Sequence, residues 1–155
     1  MTDRLTIRPL VAGDLADYKQ MRDEMLLAHP EAFTSDAEAE KAKEPADYLH
    51  RLGLAGAIGC ERELRRKVQH IGHVIGMMVR PEVRGQGIGR DLLEACIAEA
   101  RRTAGLEMLT LTVTATNTPA IRLYESMGFV TYGNLRRALK IGKVYHDKLH
   151  MAYTL

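Results

Sequence analysis

Three glycines at alternate positions, Gly85, Gly87 and Gly89, mark the stretch of this chain best suited to chemistry. They follow the apolar run from Val74 to Val79 and a short proline-containing turn, and an amphipathic helix pattern begins immediately after them. Glycine lets a backbone turn tightly and approach a ligand, while a helix start offers unpaired N–H groups and the positive end of the helix dipole. The order strand, glycine loop and helix therefore predicts a binding site for a phosphate or pyrophosphate.

Spacing separates this loop from two other phosphate-binding loops. A nucleotide P-loop requires a Gly-Lys-Ser/Thr end, and neither that lysine nor that hydroxyl is present here. A dinucleotide-binding loop requires Gly-x-Gly-x-x-Gly, but the third glycine comes one residue early at Gly89, and Arg90 occupies its place. The acidic residue that should end the following strand is also misplaced, because Glu107 precedes that strand. The P-loop is excluded, and a dinucleotide-dependent oxidoreductase is kept as an alternative.

Helix and strand patterns alternate around the loop. Leu15 to about Ala28 has the apolar spacing of a helix with one buried face, with Asp14 as its N-cap, and Ile88 to Ala104 forms another such helix. Met108 to Thr114 alternates strictly between apolar residues and threonine, as in a strand with one buried face. Two more helices are predicted. One begins near Ser35, and the other runs from Thr118, its N-cap, to Met127.

Weaker patterns predict the remaining strands. They are expected at Leu5 to Leu10, Leu54 to Cys60, Val68 to Val79, from Phe129, and Val144 to Leu155. Together these elements predict an α/β fold with helices on both faces of one sheet. A length of 155 residues fits one domain spanning 1–155.

Composition limits the classes of function. The chain is 46% hydrophobic and 27% charged, and no apolar run approaches the roughly 18 residues that cross a membrane. The N-terminus lacks the apolar core of a signal peptide, so we expect a cytoplasmic protein without membrane partners. A formal net charge of +2 gives no support for a nucleic-acid partner. Two cysteines, Cys60 and Cys96, have no metal-ligand spacing, so no metal is expected.

Two motifs, one after the other along the chain, together resemble one known family. The first is V-R-P-E-V-R-G-Q-G-I-G-R, which ends at Arg90, and the second is T-N-T-P-A-I-R-L-Y-E-S-M-G-F, from Thr116 to Phe129. Together they resemble the GNAT superfamily of acyl-CoA-dependent N-acetyltransferases. The resemblance covers His70 to Phe129 and, more loosely, the first helix and the last strand. It implies a single mixed, mostly antiparallel central sheet with a splayed parallel pair, and acetyl-CoA as cofactor.

The resemblance also assigns the residues that hold the cofactor. The glycine loop would bind the CoA pyrophosphate through backbone N–H groups, with the side chain of Arg84 or Arg90 adding charge-assisted contacts. The strand before the loop would bind the pantetheine arm and the thioester carbonyl through its backbone. Asn117 would hold the pantetheine arm or only shape its turn. The cofactor-binding residues expected in this way are Met77, Met78, Val79, Arg84, Gly85, Gln86, Gly87, Ile88, Gly89, Arg90, Asn117 and Tyr124.

The resemblance assigns the acid–base groups unequally. Tyr124 matches the family's helix tyrosine and would protonate the CoA sulfur; the structural alternative is a packed tyrosine whose hydroxyl bonds to backbone. An acceptor ammonium must lose a proton before it attacks, so a base or desolvation is needed. His73 lies where some members carry a glutamate base, and an imidazole, with an ordinary pKa of about 6.5, suits that role. A histidine that only lines the cleft is the structural alternative, and His70, Glu24, Glu61 or a water chain are the other candidates for the base.

One departure from the family pattern concerns the N-terminal half. Two antiparallel strands usually precede the glycine strand, but only Leu54 to Cys60 is available here, so one strand is expected to be missing or degraded. A missing strand would expose a sheet edge and favour a homodimer. The expected acceptor is a small-molecule amine or a peptide N-terminus, acetylated by direct attack in a ternary complex. A non-catalytic CoA-binding or sensing module is the alternative function.

Overall fold

The computed structural model describes residues 6–35, 38, 51–52 and 55–155. The described strands are β1 (Arg51–Leu52), β2 (Gly56–Arg62), β3 (Ile71–Val79), β4 (Met108–Thr114), β5 (Val130–Ile141) and β6 (Val144–Thr154). The α-helices described in full are α1 (Leu15–Ala28), α2 (Ile88–Arg102) and α3 (Thr118–Ser126). Short 3-10 turns lie at Ala12–Asp14, Pro30–Ala32 and Pro81–Val83. The predicted bounds of α1 and β4 are confirmed.

All described strands belong to one sheet. Their spatial order is β1-β2-β3-β4-β6-β5. Neighbours run antiparallel except β3 and β4, which are parallel and are joined by the α2 crossover. The predicted mixed, mostly antiparallel sheet with one parallel pair is confirmed.

Helices pack against both faces of this sheet, as predicted. The apolar stripe of α2 packs with α3 residues against one face, which we call the α2 face, in a cluster that includes Ile58, Val74 and Leu109. The apolar stripe of α1 packs against the opposite face, the α1 face, with Ala57 and Met78. Full burial of each such large apolar side chain contributes about 1.5–3 kcal/mol, so the stripes hold the helices in place.

A β-bulge changes which side chains of β3 face which helix. Gly76 and Met77 together stand opposite Ile58 of β2, and Gly76 has a left-handed φ of 56°. Before the bulge Val74 packs on the α2 face, whereas after it Met78 packs on the α1 face despite the even spacing. The extra residue thus reverses the alternation of side chains along the last part of the strand.

The parallel pair separates along its length. β3 and β4 pair only at Ile71 with Met108, Gly72 with Leu109, and His73 with Thr110. Beyond these positions β3 remains paired to β2 and β4 remains paired to β6. The two strands therefore diverge in the middle of the sheet, as the splayed pair in the prediction requires, and each leaves one backbone edge facing the gap.

The N-terminal half corrects one strand prediction and agrees with another. Among residues 6–10 only Pro9 makes a bridge, so the strand predicted at Leu5 to Leu10 does not form in the described part. Proline lacks the N–H that a continuous ladder needs. The strand expected to be missing or degraded is present as β1 but is reduced to two residues, which pair with Gly59 and Ile58 of β2. The predicted helix after Ser35 falls on residues outside the described ones, apart from Glu38.

Of the two predicted helix caps, one is confirmed in position and the other is wrong. Asp14 is the N-cap residue of α1, as predicted, but its carboxylate makes no cap bond to the helix; Oδ2 instead accepts from the Val11 N–H at 2.9 Å, and both oxygens accept from Arg8. Asn117, one residue before the predicted Thr118, is the N-cap of α3, and its Oδ1 accepts from the Ala120 N–H at 3.4 Å. None of the described helices combines the length and apolar character needed to cross a bilayer.

Candidate active site

The gap between β3 and β4 widens into a cleft of about 930 Å³. Its side walls are the second half of β3 and the end of β4, from Leu111 to Thr114. The glycine loop and α3 border it on the α2 face, and α1 with the segment from His29 to Ser35 borders it on the α1 face. The cleft therefore connects the predicted anion site with the opposite face of the sheet.

The glycine loop has the conformation that an anion site needs. Gly85 and Gly87 have left-handed φ angles of 77° and 84°, and a Cβ on either would meet nothing within 4 Å. Gly87 is the N-cap of α2, so the free N–H groups of the first helical turn begin directly after it. Gly89 differs, because a Cβ there would lie 3.2 Å from Leu123 and 3.3 Å from Met77. Gly85 and Gly87 open the loop, whereas Gly89 lets α2 pack closely.

Both arginines of the loop line the cleft, and both are partly engaged by the protein. Arg84 Nε donates to the carbonyl of Val79 at 3.2 Å. Arg90 Nη2 donates to Ser126 Oγ at 3.0 Å. Gln86 is exposed and is not among the residues lining the cleft, although Ile88 is. Each guanidinium keeps further N–H groups that can bind an anion.

The predicted strand residues form one wall of the cleft. Met77 is half-buried against the α2 face, and Met78 is buried against the α1 face. Met78 and Val79 pair with β2, and neither pairs with β4. The edge toward the cleft thus offers backbone groups, while the methionine side chains belong to the core.

Tyr124 lies in a nearly dry position at the α3 side of the cleft. Its side chain is 8% exposed, and its hydroxyl donates to Met77 Sδ at 3.4 Å. Desolvation by burial raises the pKa of Tyr124 to about 12. Its ring meets Phe129 edge to face, with 5.9 Å between centroids. The hydroxyl therefore keeps its proton at neutral pH and is held beside the β3 wall. Asn117 also lines the cleft, next to the same helix.

His73 lies outside the cleft lining. Its Nδ1 is 2.7 Å from Thr110 Oγ1 and its Nε2 is 3.1 Å from Glu63 Oε1. Hydrogen bonds from Arg65 and from His73 hold the pKa of the Glu63 carboxyl below its ordinary value. Glu61, which stands opposite His73 in the β2–β3 register, does line the cleft.

The other two alternative bases are also outside the cleft lining. Glu24 Oε2 pairs with Arg80 at 3.3 Å, and His70 accepts backbone N–H bonds at its carbonyl where β4 begins. Of the four side chains considered as bases, only Glu61 lines the cleft.

Sequence reasoning assigned no role to the buried polar residues on the α1 face. Arg22, Thr114 and Lys148 are 4%, 1% and 8% exposed and all three line the cleft. Arg22 could have been found from its position, because it follows Tyr18 by four residues on the buried stripe of α1. No local pattern marks Lys148, whose burial depends on the segment from Glu31 to Thr34 that folds over it.

Gly76 was also missed, although an isolated glycine in a strand pattern is a known bulge signal. Its bulge lies within the part of β3 that has left β4, three residues after the last β3–β4 pair at His73.

Comparison with known proteins agrees with this geometry. Residues 16–129 match the family model described as "Acetyltransferase (GNAT) family". A mycothiol acetyltransferase from Thermomonospora curvata is 32% identical over 139 residues, covering 84% of this chain and 46% of that protein. The catalytic subunit of the N-terminal acetyltransferase B complex from Arabidopsis thaliana is 33% identical over 84 residues, covering 54% of this chain and 47% of that protein. The chain thus spans less than half the length of these curated relatives.

Solved structures share the fold. A GNAT-family acetyltransferase from Streptococcus pneumoniae superimposes with a TM-score of 0.86 at 23% identity, covering 98% of this chain and 100% of that one. A putative acetyltransferase from Salmonella typhimurium, solved with its cofactor acetyl-CoA, superimposes with a TM-score of 0.80 at 22% identity. The superposition covers 99% of this chain and 95% of that one. The family match spans most of the chain and includes the glycine loop and α3. The chain belongs to the GNAT acetyltransferase family.

Proposed function

We propose that this chain transfers the acetyl group of acetyl-CoA to a primary amine by direct attack in a ternary complex. One observation carries the proposal: a single cleft brings together a helix start with unpaired N–H groups, a free strand edge and a protonated tyrosine. None of the three alone would indicate acyl transfer. Their combination provides a place for a pyrophosphate, for an extended arm and for a proton donor.

The residues present fit acetyl-CoA. The open space at Gly85 and Gly87 admits a phosphate against the first turn of α2, and Arg84 and Arg90 border the same part of the cleft. The free edge of β3 at Met77 to Val79 would hold an amide-bearing arm by backbone hydrogen bonds. When bound, acetyl-CoA supplies the activated acetyl thioester. Asn117 would contribute mainly by fixing the start of α3 through its cap.

Tyr124 is proposed as the acid. The transfer requires a proton for the departing sulfur, and the Tyr124 hydroxyl holds one because burial raises its pKa. The thioether of Met77 is a weak acceptor, so the hydroxyl can turn to a better partner at little cost. No cysteine lines the cleft in the part of the chain that the structure describes, which favours direct transfer over a covalent intermediate.

Glu61 is proposed as the group that removes the proton from the acceptor, directly or through water. It lines the cleft, whereas His73 stands beside it in the register and is bonded to Glu63 and Thr110. We expect Glu61→Gln to lower kcat at least tenfold and His73→Gln to lower it less, measured at saturating acetyl-CoA. A larger loss in the histidine variant would instead return the base role to His73.

The acceptor is proposed to be a small-molecule amine or a peptide N-terminus. Relatives named for mycothiol acetylation and for N-terminal acetylation support both classes. The test is an acetylation assay with a panel of amino acids, polyamines, amine drugs and short peptides, read by CoA release and by product mass. We expect at least one amine to be acetylated. Tight acetyl-CoA binding without any acetylated product would favour the non-catalytic module, and absence of binding would refute both.

Three further expectations from the sequence remain predictions. They are a homodimer, a cytoplasmic location and the lack of a nucleic-acid partner. Solution scattering tests the first, because a monomeric mass would remove it.

A further inference from the structure

Lys148 is a buried cation on the α1 face of the cleft. It stands opposite Thr114 in the β4–β6 register, is 8% exposed and lines the cleft. Its neighbour Leu149 packs on the α2 face, so Lys148 points to the other side. The side chain therefore lies across the sheet from Tyr124, in the half of the cleft left for the acceptor.

The protein does not neutralise this ammonium within its described part. Lys148 Nζ donates to the hydroxyl of Thr34, and no described carboxylate forms an ion pair with it. An ammonium carries three N–H donors, and Thr34 accepts only one. As far as the described residues are concerned, two donors are thus available to a ligand in the cleft.

The surroundings of Lys148 explain why an anion would be favourable there. Burying a cation without a counter-charge is costly, and desolvation holds the pKa of the Lys148 ammonium below its ordinary value. The carboxylate of Glu31, which also lines the cleft, lies 3.8 Å from His29 Nδ1. The Arg22 guanidinium lines the same half and lies over the Phe33 ring at 5.6 Å. A bound carboxylate would supply the missing negative charge.

The segment over Lys148 is fixed in place. Thr114 Oγ1 donates to the carbonyl of Glu31 at 2.5 Å, which ties the segment from Glu31 to Thr34 to the end of β4. Lys148 ties the same segment to β6 through Thr34. The ammonium is thus held by two anchored elements, as a specific binding group requires.

We propose that Lys148 binds a carboxylate of the acceptor and selects amines that carry one. The inference rests on the proposed function, because it concerns the acceptor half of that site. The carboxylate has two sources: the α-carboxylate of a free amino acid, or the side chain of an acidic residue at a peptide N-terminus. In either case its role is to orient the amine toward the β3 wall.

Binding measurements test this without requiring turnover. The ligands are two matched pairs of acetylated products: N-acetylalanine with N-acetylalaninamide, and an N-acetylated, C-terminally amidated tripeptide beginning with Asp or with Asn. Affinities are measured by titration calorimetry on the full chain saturated with CoA. Because a hydrogen-bonded charge pair is replaced by a neutral contact, we expect the carboxylate member of one pair to bind about tenfold to a hundredfold tighter. The pair that discriminates identifies the source.

Variants assign the preference to the side chain. Lys148→Met should remove the preference, while Lys143→Met, which removes an exposed lysine from the β5–β6 turn, should keep it. If Lys148→Met does not fold by circular dichroism, Lys148→Gln, which can still donate to Thr34, carries the same expectation. The inference is overturned if neither pair discriminates in the wild-type chain, or if the preference survives loss of the ammonium.

The outcome is separable from that of the proposed function. If neutral amines are acetylated and neither the calorimetry nor the amine panel shows a preference for carboxylates, the transferase function stands and the proposed role of Lys148 is refuted. If the wild-type chain prefers the carboxylate ligand, Lys148→Met loses this preference and no amine of the panel is acetylated, the anion site stands and the transferase function is refuted.

Discussion

Replacing Tyr124 by phenylalanine tests the proposed chemistry most directly. The change removes one oxygen and leaves the ring, so the edge-to-face contact with Phe129 at 5.9 Å is kept. Within residues 6–35, 38, 51–52 and 55–155, the hydroxyl makes one hydrogen bond, to Met77 Sδ at 3.4 Å. The substitution therefore removes a proton donor from the cleft and little else.

The structure gives different magnitudes for stability and for catalysis. A typical hydrogen bond contributes about 1 kcal/mol, and a thioether is a weaker acceptor than oxygen, so the free energy of unfolding should change by less than about 1 kcal/mol. Loss of a general acid lowers turnover by about 10²–10⁴-fold. We therefore expect kcat of Tyr124→Phe to fall at least a hundredfold while acetyl-CoA affinity stays within about threefold.

The assay follows CoA release at saturating acetyl-CoA with the best amine of the panel, and titration calorimetry gives the affinity for acetyl-CoA. Tyr132→Phe is the matched control, because Tyr132 is 63% exposed and does not line the cleft. Its kcat should stay within twofold of wild type. The acid role is refuted if Tyr124→Phe turns over at a rate within threefold of wild type, or if affinity falls and turnover of the saturated enzyme is unchanged.

The pH dependence gives an independent check on the same residue. The pKa of Tyr124 is about 12 in the folded chain against an ordinary 10.0, so the unfolded chain loses this proton first as the pH rises. The contribution of Tyr124 to stability is thus complete below about pH 10 and is lost between about pH 10 and 12. In denaturant unfolding over this pH range, the free energy of unfolding of Tyr124→Phe should therefore decline less steeply with pH than that of the wild-type chain. An unchanged decline would mean that the folded chain does not hold the proton.

Two further predictions concern the loop and the start of α1. Gly87→Ala should lower the free energy of unfolding by about 1–2 kcal/mol, because φ at this position is 84°, and it should weaken acetyl-CoA binding. Gly13→Ala is the control, because Gly13 is equally uncrowded but has no left-handed φ. Its free energy of unfolding in urea should fall by less. The hydrogen bond from Arg8, and then that from the Val11 N–H, hold the pKa of Asp14 at about 2 against an ordinary 3.8. Stability from Asp14 is therefore present above about pH 4 and lost toward pH 2, and Asp14→Asn should flatten this slope in pH-dependent urea unfolding.

Elements with a regular pattern were predictable from the sequence. The strict alternation of β4 and the apolar stripe of α1 gave bounds identical to those in the structure, because each pattern fits one periodicity. β3 begins three residues later than the predicted Val68, because residues before Ile71 form turns, with the Ile71 N–H donating to the Val68 carbonyl at 2.9 Å. An apolar residue at a strand start carries no information about whether its backbone is paired.

The acid–base and acceptor residues were less predictable, because tertiary contacts decide them. His73 was placed by analogy along the strand, but its position relative to the cleft depends on where β3 leaves β4, directly after the His73–Thr110 pair. Lys148 is buried by a segment far away in the chain, through Thr34. Neither the point of divergence nor the covering segment has a local signature.

Gly76 shows how one local feature supports the whole site. Its left-handed φ allows a bulge in which two residues of β3 face Ile58, so the last part of the strand turns its side chains over. Met77 can then pack beside Tyr124 on the α2 face while Met78 packs under α1, in the part of β3 that has already left β4 after His73. An unbulged strand would keep Val74 and Met78 on the same face and would place Met77 away from Tyr124. The bulge therefore places Met77 against the proton donor and Met78 under α1, along a strand edge that is already free of β4.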